Sequence, residues 1–239
     1  MSYGDAARIR AMRVFGLFLP LILSPLLAGC MFGGGDDRPA PSPIRERPGG
    51  PVTLNGPTPR ETQQCFADLS RERVRYSALP DRDFGSGCVV TGAVQLLDIG
   101  VPVTGLKSMK CGLARSFTAW VRFAVAPAAR QMLGSDLVKV ETYGTYSCRG
   151  IIGNGAASAQ RMSEHGLANA VDVSGFILAD GRRITIERDW RSGDSQVRAF
   201  LDTIHGSACK RFATVLSPDY NAAHYNHLHL DMGRGPFCR

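Results

Sequence analysis

The sequence predicts an α+β fold in which a small antiparallel sheet is flanked by helices and cross-linked by disulfides. Three observations lead to this prediction. Segments with helical spacing of apolar residues occur together with strand-like segments, the strand-like segments concentrate late in the chain, and six cysteines follow the N-terminal stretch of the 239-residue sequence. Because helices and strands are mixed and the strands cluster late, α+β is the natural class.

The first half of the expected folded part contains two predicted helices and one predicted strand. Residues 61–74 have an amphipathic helical pattern, and the β-branched and apolar residues of 88–100 indicate a strand. Residues 106–133 predict a long helix. Pro127 should kink or divide this helix, because proline has no N–H to donate.

The second half is richer in strands. Residues 137–148 alternate in the manner of a strand, and residues 171–187 predict two strands joined by a hairpin turn at Asp180-Gly181. Residues 192–212 indicate a helix capped by a serine or an aspartate. Residues 227–232 alternate again and predict a final strand.

Residues 1–29 have the features of an export signal, with a basic start followed by an apolar run that is short for a membrane span. The run ends in "LAGC", which resembles the bacterial lipobox and implies cleavage before Cys30 and lipid attachment to its thiol. A plain signal peptide or an uncleaved anchor is the alternative. Met31 stands where an inner-membrane retention signal has aspartate. By analogy, the periplasmic face of the outer membrane is the expected location, and the inner membrane is less favoured.

Residues 30–60 predict a flexible tether between the lipid and a folded domain at 61–239. They are crowded with Gly and Pro and have little apolar surface to bury. The domain has 21 basic and 17 acidic residues, within a chain of net charge +7. It has no Lys/Arg-rich run of the kind that binds nucleic acid, so no nucleic-acid partner is expected. The mild positive charge suits only weak attraction to an anionic polymer.

The cysteines of the domain predict three disulfides, because an even number in an exported chain is typical of a disulfide framework. They are Cys65, Cys88, Cys111, Cys148, Cys209 and Cys238. Many pairings are possible, and pairing in sequence order is the one preferred here, since each bond then closes a local segment. The alternative is a Cys-rich zinc site, which the absence of a C-x₂-C pair disfavours.

Four of the five histidines lie in two short stretches, "SEHGLANAVDVSGF" at 163–176 and "HYNHLHLD" at 224–231, which points to a metal site. Ligand atoms around one zinc ion lie about 3–3.5 Å apart. His165 and Asp172 can therefore share an ion only if the chain bends between them. Gly166 and the small residues after it permit such a bend.

His227 and His229 are two residues apart, so on a strand they point to the same side. One could bind the metal while the other stands beside the bound water. A His/Asp/His set leaves a zinc dication with a net charge of about +1 and an open position, which lowers the pKa of bound water to ~7 and polarises a carbonyl. Taken singly, each residue has a structural alternative, such as a turn cap for His165 or a strand-edge charge for Asp172.

The pattern Ser163-x-His165-x₆-Asp172 followed by His227-x-His229 resembles a zinc peptidase group. This group includes lysostaphin-type enzymes, D-Ala-D-Ala carboxypeptidases and the Hedgehog signalling domain. More closely, residues ~62–239 resemble the bacterial extensin-like C-terminal domain. The matching landmarks are "YSCRG", "SEHGLANAVDVSGF", "ADGRRI", "DW", "FLDTIHGSACKRF", "TVLSPDYNAAHYNHLHLD" and the terminal "CR".

The resemblance implies a zinc site on the antiparallel sheet with three ligands: His165, Asp172 and His229. It places His227 at the position of a catalytic general base, and a partner that only orients the site is the alternative. His224 matches an additional active-site histidine or simply lines the cleft, and Ser163 matches a polar residue beside the metal.

Two positions depart from the wider pattern. Ala168 stands where glycine is usual, a small change that we expect to be tolerated. Asn226 stands where the carboxypeptidases have a glutamate base. If the protein is catalytic, His227 must therefore take the proton role.

Four further residues near the motifs have weaker signals. Arg149 and Arg161 flank the site in sequence and could bind a substrate carboxylate, with solvated surface as the default alternative. Asp231 could orient an imidazole, although a surface carboxylate is the favoured interpretation. His205 is expected to be structural.

These features predict a zinc-dependent hydrolase of peptide bonds in bacterial peptidoglycan, of endopeptidase or carboxypeptidase type, acting from a lipid anchor in the cell envelope. The alternative is a zinc-containing module that binds peptidoglycan or an envelope protein without cleaving it, as the resemblance to Hedgehog implies. Purely structural zinc is disfavoured, because structural sites usually have four protein ligands.

Overall fold

The computed structural model describes residues 57–153 and 155–239, and its mixture of helices and small antiparallel sheets confirms the α+β prediction. The predicted signal peptide, the predicted lipidation at Cys30 and most of the predicted tether lie outside the described residues. Within the described part of the chain, no helix is both long and apolar enough to span a bilayer.

The N-terminal part of the described chain combines one helix with five short strands. In chain order these are α1 (Pro59–Arg71), β1 (Arg75–Ala78), β2 (Arg82–Asp83), β3 (Val89–Val90), β4 (Ala93–Asp98) and β5 (Met109–Lys110). Helix α1 begins at a capping box, in which the Glu61 N–H donates to Thr58 Oγ1 and the Thr58 N–H donates to the Glu61 carboxylate. Strands β1, β4 and β5 form one sheet, and β2 pairs with β3.

The predicted long helix is divided into α2 (Cys111–Trp120), a π-helical turn at Val121–Val125, and α3 (Ala126–Leu133). It starts later than the predicted residue 106 because Met109–Lys110 pairs with β4 as a strand. Pro127 lies at the start of α3, and the preceding Ala126 N–H donates to Val121 O, five residues back. The division therefore occurs where the proline was expected to cause it.

The second half forms the main sheet and the helices that cover it. In chain order these are β6 (Leu137–Gly144), α4 (Ala156–Ala159), β7 (Ala170–Leu178), β8 (Arg183–Thr185), α5 (Ile186–Asp189), α6 (Ser195–Cys209), β9 (Thr214–Leu216), β10 (Leu228–Asp231) and β11 (Phe237–Cys238). The strand order is β11-β9-β10-β7-β6, with β8 also paired to β7. All pairs are antiparallel except β11 with β9. The predicted hairpin at Asp180-Gly181 and the aspartate cap of α6, Asp194, are both confirmed.

The main core lies between this sheet and the helices. Trp120 is completely buried, and its Nε1–H donates to the carbonyl oxygen of Ile204 in α6 at 3.0 Å. The rings of Phe176 on β7 and Phe212 after α6 both meet the Trp120 ring edge-on at 6.3 Å. The Phe176 ring also meets that of Phe200 in α6 edge-on at 5.6 Å, so β7 is packed against helices from two different parts of the chain.

A β-bulge in β7 determines which of its side chains face the core. Glu141 of β6 pairs with Gly175 and Thr142 pairs with Val173, so Ser174 has no partner on β6. The extra residue shifts the alternation of side chains. The core residues Val171 and Val173 before it therefore share a face with the core residues Phe176 and Leu178 after it, and Asp172 points to the opposite face.

The disulfides are Cys65–Cys111, Cys88–Cys148 and Cys209–Cys238. Pairing in sequence order is confirmed for the last and wrong for the first two. Helix α1 packs across α2, which brings Cys65 next to Cys111 instead of Cys88. The first two bonds close loops with sequence separations of 46 and 60 residues, for which the chain-entropy model gives a stabilisation of about 4 kcal/mol each.

Candidate functional site

The chain bends sharply between His165 and Asp172, as the sequence predicts. Ser163 caps a single turn of 3₁₀ helix at Glu164–Leu167, with its Oγ accepting the His165 N–H at 3.3 Å. Ala168 then adopts a left-handed conformation with φ 52° and ψ 32°, and β7 begins at Ala170. The turn and the reversal together bring the His165 side chain back over the first residues of β7.

The bend is closely packed against Met162 and the Cys88–Cys148 disulfide. A Cβ atom on Gly166 would lie 2.4 Å from the Met162 sulfur and 3.3 Å from the sulfur of Cys88, so a larger residue fits only if the Met162 side chain moves. The Cys88–Cys148 disulfide thus supports the turn that carries His165. Ala168 adopts a conformation that costs an alanine about 1 kcal/mol, but its buried methyl packs with Val90 and Ala93.

Three side chains with metal-binding groups, from two separate segments, converge at the bend. Asp172 and His229 face each other across the β7–β10 pair, and His229 Nδ1 lies 2.9 Å from Asp172 Oδ1. His165 Nε2 lies 3.1 Å from Asp172 Oδ2 and 3.2 Å from His229 Nδ1. These separations are close to the ~3.3 Å between neighbouring ligands of a four-coordinate zinc ion. Two imidazole nitrogens and one carboxylate therefore fit a divalent cation in both chemistry and spacing.

Asp231 orients His229 from the far side. Its Oδ2 lies 3.0 Å from His229 Nε2, and its Oδ1 accepts the Gly233 N–H at 2.8 Å. The residue is 5% exposed, so the favoured interpretation of Asp231 as a surface carboxylate is wrong. A carboxylate on Nε2 keeps the proton on that nitrogen and leaves Nδ1 directed at Asp172, an arrangement typical of metal-binding histidines.

Hydrogen bonds within the cluster control its charge. Burial alone would raise the pKa of Asp172, but hydrogen bonds with His165 and His229 outweigh it and hold the pKa well below its ordinary value. Burial alone would likewise lower the pKa of His229, but its bonds to Asp172 and Asp231 prevail and raise the pKa to about 9. Asp172 is therefore ionised at neutral pH, as a metal ligand must be, whereas His229 is protonated and has to release a proton when a metal ion binds.

His227 lies immediately before β10 and faces the same cluster. Its Nε2 is 3.5 Å from Asp172 Oδ1, and its Nδ1 is 2.9 Å from Asn226 Oδ1. With the amide oxygen of Asn226 as acceptor, the proton of a neutral His227 lies on Nδ1 and Nε2 carries the lone pair. Burial lowers the pKa of His227, although Asp172 opposes this effect, so the ring is neutral.

His224 is held in a similar way, at the end of a short 3₁₀ turn at Ala222–His224. Asn221 Oδ1 accepts the Ala223 N–H at 3.0 Å and lies 2.7 Å from His224 Nδ1. Nε2 is then the unprotonated nitrogen. The His224 ring centroid lies 5.1 Å from that of His227. Burial and the nearby His227 lower the pKa of His224 to about 4.

This lowered pKa predicts that His224 makes the fold sensitive to acid. The folded His224 stays neutral down to about pH 4, whereas the unfolded side chain titrates near 6.5. Between these values the unfolded state binds more protons, so the free energy of unfolding falls as the pH is lowered. In urea unfolding with a chelator present, we expect the wild type to lose stability more steeply than His224→Gln across this window. Parallel pH profiles of the two proteins would contradict the assignment.

An open cleft of about 820 Å³ lies over the cluster. Its lining includes every predicted metal, catalytic and substrate-binding residue: Arg149, Arg161, Ser163, His165, Asp172, His224, His227 and His229. Arg149 and Arg161 lie on two segments paired through the hydrogen bonds Ser163 N–H to Arg149 O at 3.1 Å and Ile151 N–H to Arg161 O at 3.0 Å. The sequence-predicted site residues are thus brought together at one surface.

His205 belongs to a separate cluster. Its ring meets Trp190 edge-on at 5.4 Å, and its Nε2 lies 3.9 Å from the sulfur of Cys209 and 3.7 Å from that of Cys238. Both sulfurs are in a disulfide and are not available to a metal ion. This location agrees with the structural role expected for His205.

Among the residues that line the cleft and that sequence reasoning missed are Glu164, Arg234 and Phe237. Glu164 directly follows the Ser163 cap, so its adjacency to His165 was a usable signal. Arg234 and Phe237 reach the cleft only because β11 returns beside β9. No local pattern in the sequence indicates that return.

The comparisons with known proteins identify one family. The family model described as "Extensin-like protein C-terminus" matches residues 63–239, which is most of the chain. No curated protein and no solved structure gave a significant match.

Proposed function

The chain belongs to the extensin-like protein C-terminus family, and from this membership and the geometry of the cleft we propose that it is a zinc-dependent hydrolase of peptide bonds in bacterial peptidoglycan. One observation carries the proposal. His165, Asp172 and His229 bring two imidazole nitrogens and the two oxygens of one carboxylate together in the lining of an open cleft, with contacts of 2.9–3.2 Å between the three side chains. A site with three protein ligands and access from solvent is typical of catalytic zinc, whereas structural zinc usually has four protein ligands.

In this proposal His165 Nε2, the Asp172 carboxylate and His229 Nδ1 hold the ion. Zinc bound there acts as a Lewis acid that polarises a carbonyl and acidifies water. Asp231 keeps the His229 ring in the required tautomer through its contact with Nε2. The kinship with lysostaphin-type enzymes, D-Ala-D-Ala carboxypeptidases and Hedgehog is part of the same proposal and rests on the matching motif spacing.

His227 is the proposed general base. Its unprotonated Nε2 faces the cluster, where it accepts the proton that a water molecule loses on attacking the scissile carbonyl. The same nitrogen then returns the proton to the leaving amine. Asn226 holds Nδ1, so this asparagine, which replaces the carboxypeptidase glutamate, acts by orienting the histidine base.

The remaining residues position the substrate. Arg149 and Arg161 bind carboxylates of the peptide, and His224 offers a second neutral imidazole whose ring lies 5.9 Å from that of His229. Ser163 holds the turn that carries His165. A lipid on Cys30 and a tether of about thirty residues would keep the domain near the outer membrane, within reach of the peptidoglycan layer.

Removal of the metal tests the proposal directly. We expect the purified full chain to release new products from muropeptides, to stop when a chelator is added, and to recover when zinc is restored. Products are separated by liquid chromatography and zinc content is measured by mass spectrometry.

Unchanged muropeptides in a protein that holds one zinc ion per chain would overturn the hydrolase proposal. That result would favour the module that binds peptidoglycan without cleaving it. Digestion that continues after the zinc has been removed would overturn the role of the metal.

A further inference from the structure

Three guanidinium groups line the cleft without carboxylate partners. They belong to Arg149, Arg161 and Arg234, and none of the three forms an ion pair with any residue in 57–153 or 155–239. Some arginines elsewhere on the described surface, such as Arg115 and Arg183, are paired with acidic side chains, and others, such as Arg198, are not. What distinguishes the three is that they share one cleft, where their guanidinium groups are not held in ion pairs with described residues and can bind an acidic ligand.

The carboxylates that line the cleft form hydrogen bonds with groups other than these arginines. Asp172 bonds to His165 and His229, and Asp231 bonds to His229 and Gly233. Glu164 accepts the Asn169 side-chain N–H at 2.7 Å. Asp172 and Asp231 are largely buried, whereas Arg161 and Arg234 are exposed, so the arginines are more accessible to an incoming anion than these two carboxylates are.

Arg149 and Arg161 form one side of the arrangement. The antiparallel pairing of their segments sets Arg149 opposite Ser163 and Arg161 opposite Ile151, so the two arginines are diagonal neighbours across this pair. The charge of Arg149 reaches both His224 and His227. A carboxylate held by this pair would lie next to the proposed reacting groups.

Arg234 comes from a different part of the chain, and its backbone is linked through Asp231 to the cluster of His165, Asp172 and His229. Asp231, which contacts His229, accepts the Gly233 N–H, and Thr214 Oγ1 donates to the Arg234 carbonyl at 2.9 Å. The chain then continues into β11, whose Phe237 also lines the cleft and whose Cys238 is cross-linked to α6. The position of Arg234 is thus determined by several contacts on both sides of it.

We propose that the cleft binds a peptide with at least two carboxylates, one held by Arg149 and Arg161 and the other by Arg234. Arginine suits this task because its planar guanidinium binds a carboxylate through two parallel hydrogen bonds. This inference rests on the proposed function in naming the substrate class of the same cleft, but it concerns binding and does not require turnover.

Fluorescence anisotropy of the full chain tests the inference with two labelled tetrapeptides. One is Ala-Glu-Ala-Glu with a free C-terminus, and the other is Ala-Gln-Ala-Gln with an amidated C-terminus. We expect the acidic peptide to bind at least about tenfold more tightly, with a preference that weakens as salt is added. Arg234→Gln should weaken binding of the acidic peptide about tenfold, and Arg234→Lys should weaken it less.

Arg198→Gln is the matched control, since Arg198 is an exposed arginine on α6 outside the cleft. It should bind the acidic peptide as the wild type does. Equal affinity for the two peptides, or an equal loss in Arg198→Gln and Arg234→Gln, would overturn the inference. Muropeptide digestion is measured in parallel. If the protein hydrolyses muropeptides but does not prefer the acidic peptide, this inference alone is overturned. If it prefers the acidic peptide but does not hydrolyse muropeptides, only the hydrolase proposal is overturned.

Discussion

Replacing Asp172 by Asn is expected to lower zinc affinity at least about a hundredfold and to abolish metal-dependent hydrolysis. Loss of a group that only orients a ligand already costs about 10–100-fold in affinity, so loss of a ligand should exceed that range. The amide keeps the shape of the side chain but removes the negative charge that contacts three histidines. Isothermal titration with zinc and the muropeptide assay measure the two effects.

Asp202→Asn is the control for this experiment, because Asp202 is an exposed aspartate on α6 that does not line the cleft. It undergoes the same chemical change and should keep wild-type zinc affinity and activity. If Asp172→Asn binds zinc as tightly as the wild type, the proposed metal site is wrong.

Replacing His227 by Ala is expected to leave zinc bound while turnover falls by about 10²–10⁴-fold, the usual contribution of a general base. His227 lies 3.5 Å from the cluster and is held by Asn226 outside the three proposed ligands. Its removal should therefore affect proton transfer and leave the donor set intact. Zinc content by mass spectrometry and initial rates on muropeptides separate these effects.

His205→Gln serves as the second histidine variant, since His205 lies beside the Cys209–Cys238 disulfide and not in the cleft. It should retain both metal and turnover. Full activity of His227→Ala would refute the base assignment and direct attention to His224, whose Nε2 is also unprotonated.

The features of the site that the sequence predicted are those that depend on neighbours along the chain. A glycine followed by small residues predicted the bend after His165, because such residues accept tight turns and left-handed backbone. The alternating apolar residues of β7 and β10 predicted two strands, and their pairing set Asp172 opposite His229. Local composition was sufficient for both.

Features that depend on distant segments were not predictable in this way. The partner of Cys65 depends on how α1 crosses α2, so proximity in sequence gave the wrong pairing. The burial of Asp231 depends on its contacts with His229 and the following turn, because an isolated aspartate on an alternating strand looks like surface. Arg234 reaches the cleft through a parallel strand pair, which has no short-range signature.

The unpaired Ser174 makes the length of β7 critical. Side chains on a strand alternate, so adding or removing one residue there would exchange inward and outward positions along half of it. Either the core residues Phe176 and Leu178 or the cluster residue Asp172 would then point to the opposite face of the sheet. One irregularity in a single strand thus allows the same nine-residue segment to contribute apolar side chains to the core along its whole length and an aspartate to the histidine cluster on its other face.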